Sequence, residues 1–501
     1  VSCSEQAQQS FNRAVALLHH MTYPQARGAF EQIVSREPDC AMAHWGIAMT
    51  LFQPLWPTRP SPAALRRGWD EVQQAKAAKT VSERERLFIT SAEAFFAEPE
   101  SSDYWLRIRR WEEAAKKAHV AMPEDQEAAL FYALAHLATT PASSNSRVHA
   151  DEAAAILLQV YKRQPDHPGA MHYLVHANDV PGRERELIEV TRKYDAAAPN
   201  NPHALHMPTH IYTRLGDWDA VVNGNLRAAD AALLYPAGEK GEFVWDEFAH
   251  AIEYLVYAYL QQGDDVQAEK QMRRLHETAR LEPTFKTAFH LASTQARFAI
   301  ERRNWAEAVA IVPRTPTFLD WDRFMWAEAI AQFARGLGGA HLGKQEDVKA
   351  AEMRLVKLEA VARSVGEDLF ARNIGILRLE LTAWSAHSEG RQARGVELMR
   401  EAVSMESATP KHAVTPGPTL PALELLGDLY LEQGDAKAAL EAYESSLKTY
   451  PRRFHSLLGA ARAAHIAGEA ATARRYFQAF LDVAANGTRR ESIQEARRAL
   501  R

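Results

Sequence analysis

The chain has 501 residues, 47% of them hydrophobic and 25% charged, with a formal net charge of −5. That mild negative balance argues against nucleic acid as the main partner, which needs a basic face, and the chain has no run of about 18 apolar residues to span a membrane. Its length suits either several domains or one array of repeats, which has no size ceiling because each repeat packs on its neighbours.

In chain order, almost every segment reads as amphipathic helix, with Ala at the positions where helices approach closely and no strand-like alternation. The opening Val1-Ser2-Cys3 has the form of a processed, exported chain, and equally of a trimmed one. Only two cysteines occur, Cys3 before the first helix and Cys40 at the start of the third. In a stack of helical hairpins those two starts are neighbours, so a Cys3–Cys40 disulfide is expected, with two buried free thiols as the alternative. The paired histidines His19-His20 read as a surface helix end. Phe11, Ala26, Phe30 and Pro38, then a helix over 41–51, mark a first repeat.

Loops are expected at 54–62, around Thr140-Pro-Ala-Ser-Ser-Asn145, at 313–322 and, longest, at 409–421. A loop of that last length inside a stack has a job or is mobile; folding back across the inner groove is the expectation. A helical pair is expected over 246–263 and 266–281. Gly434 and Gly468 end the first helices of two late repeats, where a left-handed residue is wanted. The arginines Arg489, Arg490, Arg497, Arg498 and Arg501 read as a solvated helix end. The resulting division is N-terminal repeats at 1–165, a His-rich centre at 166–265, further helical repeats at 266–408, the Pro-rich loop at 409–421 and C-terminal repeats at 422–501.

The most specific feature is a doubled motif, His172-Tyr-Leu-Val-His176 and His206-Met-Pro-Thr-His210. A spacing of four puts both rings of a pair on one helix face. The two pairs are 34 residues apart, the period of a tetratricopeptide repeat. Setting the register from Pro165 and Pro199 places His172 and His176 at the fifth and ninth positions of one helix. It places His203, His206, His210, Thr213 and Arg214 at the second, fifth, ninth, twelfth and thirteenth of the next. Aligning Gly263 with Gly216 adds His250, Glu253 and Tyr257 at the second, fifth and ninth. These are groove-lining positions, and the expected fold is all-α, a right-handed α-solenoid of tetratricopeptide-type helix–turn–helix repeats.

Phe11–Leu17 and Cys40-Ala-Met-Ala-His-Trp-Gly-Ile-Ala-Met49 resemble the opening of a large family of bacterial tetratricopeptide-repeat proteins, many of them predicted to be exported. His167-Pro-Gly-Ala-Met-His-Tyr-Leu-Val-His176 and Pro202-His-Ala-Leu-His-Met-Pro-Thr-His-Ile-Tyr-Thr-Arg-Leu-Gly216 resemble its central signature. Gly417-Pro418 and Glu424-Leu-Leu-Gly427 resemble its C-terminal one. The resemblance implies the fold and export, to a periplasmic or extracellular location, and no settled activity. The chain departs from the family pattern at Asn178 and Glu253.

Imidazoles from helices packed about 8–10 Å apart can meet at one ion. The expected ligands are His172, His176, His206, His210 and His250, holding a transition metal such as Cu, Zn or Fe, with Glu253 or Asp179 as an added carboxylate. His203, Thr213, Arg214, Glu253 and Tyr257 are the expected ligand-binding companions, Arg214 as a buried guanidinium for a carboxylate or phosphate. The HxxxH pairs lack the Glu of a zinc-protease motif. A peptide- or protein-binding groove is the alternative, and end-to-end homo-oligomeric assembly into rings or filaments the third. Trp45 is expected to pack, and His136 and His412 to approach the same groove. Pro208 should kink its helix or restart it there, which bears on half of the site.

Overall fold

A computed structural model describes residues 1–56, 59–101, 103–142, 145–186, 188–238, 240–485, 487 and 490–501. Pro57 and Thr58 of the first expected loop, Ser143 and Ser144 of the second, and Arg489 lie outside the described residues. The fold is an α-solenoid of tetratricopeptide-type helical pairs. Among the described residues no helix is long and apolar enough to cross a membrane. The chain forms two compact units, Val1–Ile211 and Tyr212–Arg501.

The first unit opens with the pair Glu5–His19 and Tyr23–Arg36, followed by Ala41–Met49 and Pro62–Ala77, Glu83–Phe96 and Tyr104–Ala121, Gln126–Ala138 and Ser146–Arg163, and Pro168–Asn178 and Ile188–Ala197. Side-chain caps start many of these helices. Ser4, Ser61, Asp103 and Asp125 each accept from an amide of the first turn, and Ser82 with Glu85 forms a full capping box. Cys3 and Cys40 are joined by a disulfide with the Cα atoms 5.5 Å apart. The third helix ends at Met49, two residues short of the expected Leu51, and the Thr50 hydroxyl donates to the Ile47 carbonyl at 2.7 Å. Contacts also run far along the chain: Asn201 donates to the Thr22 hydroxyl at 2.7 Å, and His19 meets Tyr173 at 2.9 Å.

The second unit carries the helical pairs Asp246–Gln261 and Asp265–His276, Met325–His341 and Gln345–Ser364, Asp368–Ser388 and Gln392–Ser407, Ala422–Glu432 and Ala436–Thr449, and Phe454–Ile466 and Ala470–Val483. Gly434 and Gly468 have φ of 81° and 79°, each one residue past a helix cap, as a left-handed helix stop requires. Gly427 and Gly459 both pack against the Tyr443 ring. A Cβ on either would lie 2.7 or 2.3 Å from its carbons, so only glycine lets these helices close.

Three expectations are corrected. Pro236–Ala237 pairs with Phe243–Val244 as an antiparallel hairpin, too short for a period of two to register in the sequence. The helix expected to run to Leu281 ends at His276, since Arg280 takes a φ of 57° and Val244 bonds to its carbonyl. Arg490 is not solvated: it donates to Asp265 and lies over the Phe454 ring at 4.4 Å, while Arg497, Arg498 and Arg501 are exposed.

The loop after Gln392–Ser407 folds onto the helices Asp246–Gln261 and Phe285–Ile300. The Arg297 guanidinium donates to the Gly417, Pro418 and Thr419 carbonyls at 2.8, 2.9 and 3.2 Å and to the Thr415 hydroxyl at 3.2 Å. Tyr254 donates to the Thr415 carbonyl at 3.2 Å, and Val414 and Leu420 are fully buried. As in the first unit, distant segments meet: Trp218 donates to the Arg452 carbonyl at 3.0 Å and Arg453 to the Tyr257 hydroxyl at 2.8 Å.

Candidate metal centre

The first unit gathers five imidazoles. His172 and His176 come from Pro168–Asn178, which starts on a proline whose missing N–H costs nothing there. His203 and His206 come from the short helix Pro202–His206, capped by the Asn201 side chain. The chain then restarts as a helix at Pro208, with Met207 between. Pro208 therefore breaks the helix rather than bending it. His206 still faces His210 across the break, Nε2 to Nε2 at 2.9 Å, and the Thr209 hydroxyl ties the His206 carbonyl at 2.6 Å.

The tightest group is His172, His176 and His203. Their Nε2 atoms converge, with His172 at 3.1 Å from His176 and 3.0 Å from His203. His172 Nδ1 donates to the His19 carbonyl at 2.5 Å, which makes its Nε2 the acceptor nitrogen. His210 repeats the arrangement: Nδ1 donates to the Asp179 carboxylate at 2.9 Å, and Nε2 faces His206. A carbonyl or carboxylate on the far nitrogen is the usual way a metal-binding imidazole is oriented. The two groups adjoin, with ring centres 6.4 Å apart for His203 and His206 and 6.2 Å for His176 and His210.

All but His176 are at most 1% exposed. Burial, then the neighbouring His203 and His176, pushes the His172 pKa well below its ordinary 6.5. Burial and the adjacent His19 and His203 bring His20 down to about 3. The site is walled by rings: Tyr194 stacks on His172 with centres 5.4 Å apart, and Trp56 stands edge-on to His203 at 5.2 Å.

The structure thus brings together His172, His176, His203, His206 and His210. His203, expected as a companion, is the third member of the tight group. Asp179 orients His210. Thr213, Arg214, His250, Glu253 and Tyr257 belong to the second unit. There His250 meets His290 at 3.1 Å, and Glu253 accepts from His290 and Ser293, each at 2.5 Å, and from Arg297 at 3.3 Å. Tyr257 accepts from Arg453. Arg214 is half-buried, not the buried floor expected of it.

His19 and His20 are buried, at 1% and 8% exposure, and not at the surface. His19 donates to Glu127 at 2.9 Å and accepts from Tyr173, while its carbonyl fixes His172. Tyr194 meets His20 at 2.8 Å. The available signal was the apolar run Ala14–Leu18 continuing into Met21-Thr22-Tyr23, which leaves no exposed end. His136 bonds Glu112 and stacks on His149 at 3.7 Å, forming a separate cluster. His412 lies in the second unit with Trp326 and Phe370. Trp45 packs against Phe11, Phe88 and Phe131. Those rings, with His19 and Glu127, also line a cleft of about 310 Å³ in the first unit.

A tetratricopeptide-repeat family model matches residues 11–53 and 425–488, so the chain carries tetratricopeptide repeats in both units. No curated protein matches it. Among solved structures, the crystal structure of the APC/C hetero-tetramer Cut9-Hcn1 covers 100% of this chain and 97% of that chain, at 12% identity and a TM-score of 0.35.

Proposed function

We propose that this chain is a tetratricopeptide scaffold whose first unit binds a transition-metal ion through His172, His176 and His203, with His206 and His210 beside them. The observation that carries the reading is the spacing of the Nε2 atoms. Two imidazoles on one ion at about 2.0–2.1 Å stand about 2.9–3.4 Å apart for octahedral to tetrahedral angles. The pairs at 3.0, 3.1 and 2.9 Å fall in that range. With Nδ1 donating elsewhere, the Nε2 atoms of His172 and His210 are acceptors directed at neighbouring imidazoles, the arrangement a shared cation would use. An all-imidazole set suits Zn, Cu or Fe. The disulfide supports an oxidising compartment, and with it export from a bacterial cell.

Elemental analysis of the gently purified full chain, followed by calorimetric titration of the metal-stripped protein with zinc and copper, tests this. Near-stoichiometric metal or saturable uptake is expected, lost on His172→Ala with His203→Ala. Less than about a tenth of an equivalent, with no uptake, would sink it. A second reading, peptide binding, is favoured by the ring-lined cleft with its Glu127 carboxylate. Pulldown on the wild type against Trp45→Ala tests it, and equal recovery of every partner counts against that groove.

A further inference from the structure

The second unit carries a half-open pocket of about 380 Å³ whose walls include Arg303, Trp305, His341, Trp384, Asp428 and Tyr443. Two of these carry donors without acceptors. Trp384 is 2% exposed, and its indole N–H has no partner among the described residues. Arg303 Nη1 is likewise buried and unsatisfied, although Nη2 of the same guanidinium donates to Asp428 at 2.7 Å and Glu424 at 3.4 Å. Buried N–H groups are nearly always satisfied by protein, water or ligand. Two such donors on the walls of one pocket of ligand size are a place where the oxygen of a bound molecule can replace water.

Charge decides what kind of oxygen. The Arg303 charge is already answered by two carboxylates. Arg462, at the rim, is held by Glu495 at 2.6 Å. Glu432 partners His387 at 2.9 Å. No uncompensated cation remains to hold an anion, and a carboxylate would face Asp428 and Glu432 in a site of low dielectric. A cationic ligand is opposed by Arg303 and Arg462 on the same walls, and the Asp428 oxygens already accept from Arg303 and the Tyr443 hydroxyl, the latter at 2.6 Å. The walls are flat: His341 stacks on Trp305 with centres 3.9 Å apart and planes 5° off parallel, and Trp384 covers it at 4.3 Å. Burial beside Arg303 keeps that imidazole neutral, with a pKa of about 3.

We propose that this pocket is a binding site for a small, neutral, flat carbonyl compound, such as an aryl amide or cyclic imide. Its oxygen accepts from the Trp384 indole and Arg303 Nη1, and its ring lies beside the Trp305–His341–Trp384 stack. The test is a titration of the full chain, labelled with nitrogen-15 at tryptophan, with benzamide, nicotinamide and phthalimide, reading the indole N–H signals. Trp384→Phe assigns the signal and removes the donor while keeping a flat ring.

At least one of the three compounds should shift the Trp384 signal saturably. Benzoate should bind at least about tenfold more weakly than benzamide, and Trp384→Phe should weaken binding by about tenfold or more by calorimetry, in line with loss of a buried hydrogen bond. If none of the three moves the signal, if Trp384→Phe binds as well as wild type, or if benzoate binds as tightly as benzamide, the proposal is overturned. Should Trp384→Phe fail to fold, the wild-type titration decides alone, since one of the 11 indole signals must move saturably.

Discussion

The depressed pKa of His172 makes a quantitative prediction about the metal-free chain. In the unfolded state His172 titrates near 6.5; in the folded state, buried against His203 and His176, it does so well below that. Between those two values the unfolded chain binds a proton that the folded one refuses, so acidification favours unfolding and stability rises with pH. Taking His172 from about pH 7.5 to about pH 5.5 should therefore cost about 1.4 kcal/mol, one decade of protonation in the unfolded state. His172→Phe keeps a flat ring against Tyr194, which sits 5.4 Å away, and removes this term. Hydrogen exchange of the amides in Pro168–Asn178, corrected for intrinsic rates, reads the opening free energy. The gap between wild type and His172→Phe should shift by about 1.4 kcal/mol between the two pH values, against the wild type at the lower one. A gap that does not move with pH would falsify the buried, neutral state assigned to His172.

Three further outcomes are expected. Asp179→Asn, which weakens the hold on His210 Nδ1, should lower zinc affinity about 10–100-fold, measured by competition with a chelating dye; unchanged affinity would remove His210 from the ligand set. Arg297→Met strips four bonds from the 409–421 loop and leaves Glu253 without its cation. It should cost about 3–5 kcal/mol in urea unfolding and speed proteolytic cleavage in that loop. Reducing the Cys3–Cys40 bond, which closes a separation of 37 residues, should cost about 3–4 kcal/mol by loop-closure entropy. It should show as a lower melting temperature of the first unit, and an identical melt with and without reductant would contradict it.

How much of this could be read in advance depended on whether the information was local. Gly434 and Gly468 mark their helix stops because a left-handed residue is a local requirement. The doubled HxxxH motif placed four rings on helix faces, and the register put His203 close by, since helical geometry carries over a few turns. Pro208 announced a break, and the break came at Met207. Residues meeting from distant segments were not legible. His19 supplies the carbonyl that sets the His172 tautomer across 153 residues, and nothing in its own neighbourhood foretells that. The register places Glu253 in the groove but does not announce His290, Ser293 and Arg297, which donate to it. Repeat register specifies a position on a helix and not the neighbour it meets.

An ideal repeat array touches only its nearest neighbours, so it can fray from its ends one repeat at a time. Both units depart from that. In the second, Arg453 reaches Tyr257 across 196 residues, Arg490 reaches Asp265 across 225, and Trp218 reaches Arg452 across 234. In the first, Thr22 and Asn201 meet across 179. The last repeats of each unit thus hold the first ones, and terminal fraying is coupled to the loss of contacts at the other end. Each unit should melt in one cooperative step, and fold more slowly than its helical content suggests, because long loops must close before these contacts form. Truncating the chain by a single C-terminal repeat should accordingly loosen Trp218–Ala232 as much as the repeat beside the cut.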